Sequence, residues 1–129
     1  MTCTVFVKFV SDPEYDPSKA VVGLACAAQA VSDGHDVDVF FAAAATRMLV
    51  PGYLEGLMER IGAPSAMAEQ FVKVLSEGAR WHCSFNSLKA TAGIEEGQGG
   101  IIVPDEAMTW SGPPGGIGLA TAAETVLCY

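Results

Sequence analysis

The chain predicts an α/β fold built on parallel strands, and three stretches within its first 42 residues carry that prediction. Thr2 to Val10 is β-branched and aromatic, with apolar residues on both alternating faces except at Lys8. That is the pattern of a strand covered on both sides, as in a parallel sheet. Asp16-Pro17 then pairs a helix N-cap with proline at the first helical position, a strong start signal. Asp36 to Ala42, with Val37, Val39, Phe40 and Phe41, reads as a second strand. A β-loop-α-β unit follows, with right-handed crossover as the default.

Taken in order, Ser11 to Asp16 is a polar loop containing Asp12-Pro13. The helix from Pro17 carries an apolar stripe of Val21, Leu24, Ala25, Ala28 and Val31, and Gly34 stops it after Asp33. Its many alanines permit close approach to a sheet. Ala43 to Gly52 reads as a loop or broken helix bearing Arg47 and Met48. Tyr53 to Arg60 is a short helix closed by Gly62 and Pro64. Ser65 caps a longer one to about Glu77, with Met67, Phe71, Val74 and Leu75 inward. Gly78 ends it, Ala79 to Cys83 is the third strand, and Ser84 or Asn86 caps a short helix to about Thr91.

From Gly93 to Gly118 the composition shifts toward glycine and proline. Gly100 to Val103 reads as a strand, the remainder including Trp110 as an extended loop, Leu119 to Glu124 as a helix fragment and Thr125 to Tyr129 as a last strand. No internal repeat or domain boundary interrupts the chain, so residues 1–129 read as one domain.

Composition narrows the function. Half of the 129 residues are apolar and 17% are charged, which argues against disorder and suggests that partner subunits cover some apolar surface. The net charge is −8, from 15 acidic and 7 basic residues. With no basic stripe, nucleic acid is not an expected partner. The longest apolar stretch, Ala20 to Val31, falls short of the roughly 20 residues that span a membrane. No leader pattern is seen, so a cytoplasmic location is expected.

The four cysteines, Cys3, Cys26, Cys83 and Cys128, form neither zinc pairs nor a CxxC motif. Cys3, Cys26 and Cys128 suit buried structural roles. Cys83 differs, because it ends a strand beside polar residues. At the carboxyl edge of a parallel sheet, reactive groups collect, and helix N–H groups favour the thiolate. Cys83 is therefore the candidate catalytic residue. Lys89 and Arg47 are candidates to stabilise its anion, with Ser84 and Asn86 beside them. Strand alternation points His82 away from the Cys83 sulfur, and His35 reads as a surface turn residue.

Ser111-Gly112-Pro113-Pro114-Gly115-Gly116-Ile117-Gly118 mimics a dinucleotide loop, but that motif needs a full helix and an acidic residue about 20 positions on. It is read as a flexible surface loop. No cofactor and no metal set is indicated.

The opening strand, Asp16-Pro17 before an alanine-rich helix, Gly34-His35-Asp36-Val37 leading into Val39-Phe40-Phe41, and Cys83 followed by Ser87-Leu88-Lys89 together resemble the DsrE/DsrF-like family, of YchN-like fold. The resemblance implies a three-layer α/β/α sandwich with a mainly parallel five-stranded sheet and a homo-oligomer, trimer or hexamer. It further implies a persulfide carried on Cys83, exchanged with a sulfur donor or acceptor protein in a sulfurtransferase-type relay. The alternative is a non-catalytic oligomer that binds a small ligand or protein partner at a subunit-interface pocket, with Cys83 as a wall and the glycine loop and Trp110 as contact surface.

Overall fold

The computed structural model describes residues 2–129. Five strands, β1 (Thr4–Phe9), β2 (Asp36–Phe41), β3 (Ala79–Ser84), β4 (Met108–Ser111) and β5 (Thr125–Cys128), form one sheet in the order β4-β3-β2-β1-β5. Every pair is parallel. The helices are α1 (Pro17–Ser32), α2 (Tyr53–Arg60), α3 (Ala66–Gly78), α4 (Phe85–Ala92) and α5 (Pro113–Ala122), and they lie on both sides of the sheet. The expected α/β architecture is the one observed.

The strand order dictates which face each helix covers. From β1 to β4 the chain steps in one direction, so right-handed crossovers put the intervening helices on one face, here called the front. The return from β4 to β5 runs the other way, and the same rule sends α5 across the back. Front-facing Val5, Val7, Phe9, Val37, Val39, Phe41, Trp81 and Cys83 form one core with Leu24, Leu57, Met58, Leu75 and Leu88. Phe9 stacks on Phe41 with centroids 4.8 Å apart, and Phe41 on Trp81 at 5.8 Å. Each such buried side chain contributes about 1.5–3 kcal/mol through removal from water.

The helix signals operate as read. Asp16 accepts from the Lys19 amide at 3.1 Å, with Pro17 at the first position of α1, and Gly34 turns the chain at φ +87°. Gly23 lets α1 settle on the sheet: a Cβ there would stand 2.5 Å from Phe9 Cε1. Ser65 precedes α3 without capping it through its side chain.

The glycine-rich region departs from expectation. Residues 100–103 form no strand, because Gly99 and Gly100 sit at φ +76° and +81°, which breaks extension. The fourth strand is instead Met108–Ser111, whose Met108 is buried beside Trp81. Its core-facing Trp110, expected in a loop, is half-buried. The presumed surface loop Ser111 to Gly118 is mostly the first turns of α5. Pro113 and Pro114 occupy positions where helical N–H groups have no partner anyway. Gly115 lies so close to Ser111 that a Cβ would collide with its hydroxyl.

Candidate functional site

Because α5 alone crosses the back, that face is only partly covered. Pairing register sorts its side chains into rows. Val126, Phe6, Asp38 and Arg80 make one row; Cys128, Lys8, Phe40, His82 and Thr109 make the next, toward the carboxyl edge. The edge itself is closed by Ala42, Ala43 and Ser84.

Between these rows and α5 lies a cavity of about 570 Å³. Its walls are mainly apolar, from Phe6, Phe40, Ile117, Ala120 and Val126, with Gly116 of α5 against the Phe40 ring. Polar groups enter from Lys8, Ser84, Ser87 and the exposed Cys128. Apolar walls with a few convergent polar groups are the usual make-up of a ligand site. The backbone is strained at its rim: Ala43 is the one non-glycine residue with positive φ among those described, at +52°. Its carbonyl accepts from Thr46 Oγ1 at 2.9 Å, which helps hold that conformation.

Lys8 is half-buried and, among the described residues, makes no ion pair or side-chain hydrogen bond. The carboxylate one row away is occupied. Asp38 Oδ1 accepts from Arg80 Nε at 2.7 Å and lies 2.8 Å from His82 Nε2, while Oδ2 accepts from Arg80 Nη2 at 2.8 Å. Burial alone would raise the Asp38 pKa, but the hydrogen bonds and charges of Arg80 and His82 outweigh it and hold the carboxyl below its usual value.

The sequence candidates are not gathered at this cavity. Cys83 points to the front face, fully buried in the core, and its Sγ reaches only the Ser84 carbonyl at 3.4 Å. Burial pushes its thiol up to about 12. The expectation of an easily ionised Cys83 is therefore corrected: β3 continues to Ser84, so the strand's alternation aims the sulfur into hydrocarbon, away from the N-terminus of α4.

Arg47 is directed elsewhere, with Nε 3.3 Å from Asp12 Oδ1, near enough for an ion pair yet not aligned for a hydrogen bond. Lys89 pairs with Glu95 at 3.1 Å in solvent and shares with Asn86 a separate depression lined also by Phe85 and Glu96. Ser84 alone of the five lines the back-face cavity, where its Oγ also caps α4 by accepting from the Ser87 amide at 3.3 Å. Neither Cys83 nor Trp110 forms a wall of it.

Two other readings change. Cys128, expected to be buried, is exposed because β5 is an edge strand with Val126 and Cys128 turned toward the open face. His35 is more than a surface residue, since its Nδ1 accepts from the Cys3 amide at 3.1 Å. His82 behaves as the alternation requires and faces Asp38, not Cys83. The cavity residue that sequence reasoning missed is Lys8, although its signal was present as the one charge in an otherwise apolar strand.

No helix of the described chain is long and apolar enough to cross a membrane. No family model matches the chain, and no curated protein matches it by sequence. Among solved structures, the ychN protein from E. coli matches 100% of this chain with 100% of its own, at 13% identity and a TM-score of 0.67. Over its whole length, then, this chain has the fold of ychN.

Proposed function

We propose that the protein is a non-catalytic oligomer that holds a small ligand in the back-face cavity. The observation that carries this reading is the cavity itself: about 570 Å³ of mainly apolar space at the carboxyl side of a parallel sheet, with Lys8, Ser84 and Ser87 in its lining. Parallel α/β sheets place their ligands at that end. Oligomer formation belongs to the same reading. Ile117 of α5 is 64% exposed and Val126 of β5 is 49% exposed beside the cavity, and a second subunit, in a trimer or hexamer, would cover them.

The test is a fragment titration followed by NMR, with light scattering to give the assembly size. Bound fragments should shift the resonances of Val126, Ala120 and Ile117, and Ala120→Trp, which fills the space, should abolish those shifts. Shifts confined to other surfaces would reject the assignment.

A second reading, persulfide carriage on Cys83 in a sulfur relay, is favoured by the place of Cys83 at the carboxyl end of β3 in a chain of ychN-like fold. In that reaction the Cys83 thiolate attacks the terminal sulfur of a donor persulfide. A new S–S bond forms, the donor's S–S bond breaks, and the donor leaves as a thiolate. It requires a movement that uncovers the thiol; ligand binding on the back face requires none. Mass spectrometry after exposure to a persulfide donor decides: sulfur added to Cys83, and absent in Cys83→Ser, supports the relay.

A further inference from the structure

We infer that the back-face cavity takes a single-headed organic anion, a small aryl or alkyl carboxylate, with its head on Lys8 and its body against the apolar walls. This rests on the cavity being a binding site and names the chemistry it selects.

The charge balance of the back face carries the inference. In a chain with 15 acidic and 7 basic residues, a half-buried cation could easily have been given a carboxylate. Lys8 has none, and every carboxylate on its sheet face is engaged elsewhere. Asp38 is taken by Arg80 and His82, Asp36 lies 2.8 Å from Arg80 Nη1, and Glu124 at the end of α5 accepts from the Thr4 amide at 3.2 Å. The Lys8 ammonium, flanked in its row by Phe40 and Cys128, has no protein carboxylate beside it among the described residues, and a bound anion would supply one.

The remaining polar groups fit the same head. Ser84 Oγ receives the Ser87 amide, and neither serine hydroxyl donates to a protein acceptor among the described residues. Two O–H donors thus line the same cavity as the ammonium and are complementary to an acceptor head. The first two residues of α5, Pro113 and Pro114, offer a phosphate no N–H groups. The walls set by Phe6, Phe40 and Val126 then select an apolar body.

The experiment is calorimetry on the full chain with three probes: 4-phenylbutyrate, its neutral amide, and inorganic phosphate. The acid should bind at least about tenfold tighter than the amide, the ratio expected of one charge-assisted contact. Lys8→Met should remove the preference for the acid over the amide, and Lys8→Arg should retain most of it. Phosphate should not compete. If amide and acid bind the cavity equally, the anion assignment is overturned while the binding site stands. If neither probe shifts the Val126 and Ala120 resonances, the binding reading falls with it. Displacement of the acid by phosphate would overturn the single-head assignment.

Discussion

At pH 7.5 a thiol held near 12 is ionised in only about 3 molecules per 100,000, whereas an unperturbed cysteine near 8.5 is ionised in about one in ten. The folded protein should therefore alkylate at Cys83 on the order of 1,000-fold more slowly than a free thiol, before any steric protection is counted. A pulse of iodoacetamide followed by peptide mapping reads this directly. Cys128, exposed on the edge strand, should be modified first, and Cys83 only after denaturant is added. The same burial has a signature in stability. The folded pKa is raised, so below about 8.5 the full contribution of the neutral thiol is present. Above that the unfolded chain ionises while the folded one does not, and stability falls by about 1.4 kcal/mol per pH unit until the folded thiol titrates near 12. Cys83→Ala should remove the loss between about pH 8.5 and 10, below the range where Tyr53, itself pushed up to about 12 by burial, contributes, and cost about 1–3 kcal/mol at neutral pH through lost packing. Labelling of native Cys83 within tenfold of a free thiol, or an alkaline limb unchanged in Cys83→Ala, would refute the reasoning and return the sulfur relay to first place.

Four further outcomes follow from the geometry. Gly23→Ala should lose about 1–3 kcal/mol in denaturant unfolding, because its Cβ would stand 2.5 Å from Phe9, itself stacked on Phe41. Asp38→Asn should flatten the acid limb of the stability profile: the Asp38 pKa is lowered, so its contribution is present at neutral pH and lost as pH falls through the folded value. Ser84→Ala should cost about 1 kcal/mol by uncapping α4, seen as earlier amide exchange at Ser87. Lys8→Met should raise the melting temperature by about a few degrees, since it puts an apolar side chain where a cation without a protein partner lines an apolar cavity. An unchanged or lower melting temperature there would mean that Lys8 is already compensated within the fold.

The strands and helices of the first half were legible because local signals and tertiary packing agree there. Asp16-Pro17 starts α1, Gly34 ends it, and the apolar runs on either side have no structure open to them other than buried parallel strands. The C-terminal third was harder, because glycine and proline carry two meanings. In Gly99-Gly100 they break extension; in Pro113-Pro114-Gly115-Gly116 they open a helix and let it lie close to its neighbours. Only the sheet beneath α5 distinguishes these cases. The orientation of Cys83 was written in its neighbours: Arg80, His82 and Ser84 alternate with Trp81 and Cys83, so period 2 assigns the cysteine to the tryptophan's face. The cavity could not be read, since it exists only where β1, β2, β5 and α5 meet the ends of β3 and α4, bringing together residues as far apart in the chain as Phe6 and Cys128.

The return connection from β4 to β5 has a consequence for motion. Helix α5 contains three glycines and two prolines in ten residues, and only Gly116 among them is buried. Such a segment has little local free energy holding it down. It is also one wall of the back-face cavity, through Pro113, Gly116, Ile117 and Ala120. Occupancy of the cavity should therefore damp the fraying of this one helix and slow hydrogen exchange along residues 115–122 ahead of every other part of the molecule.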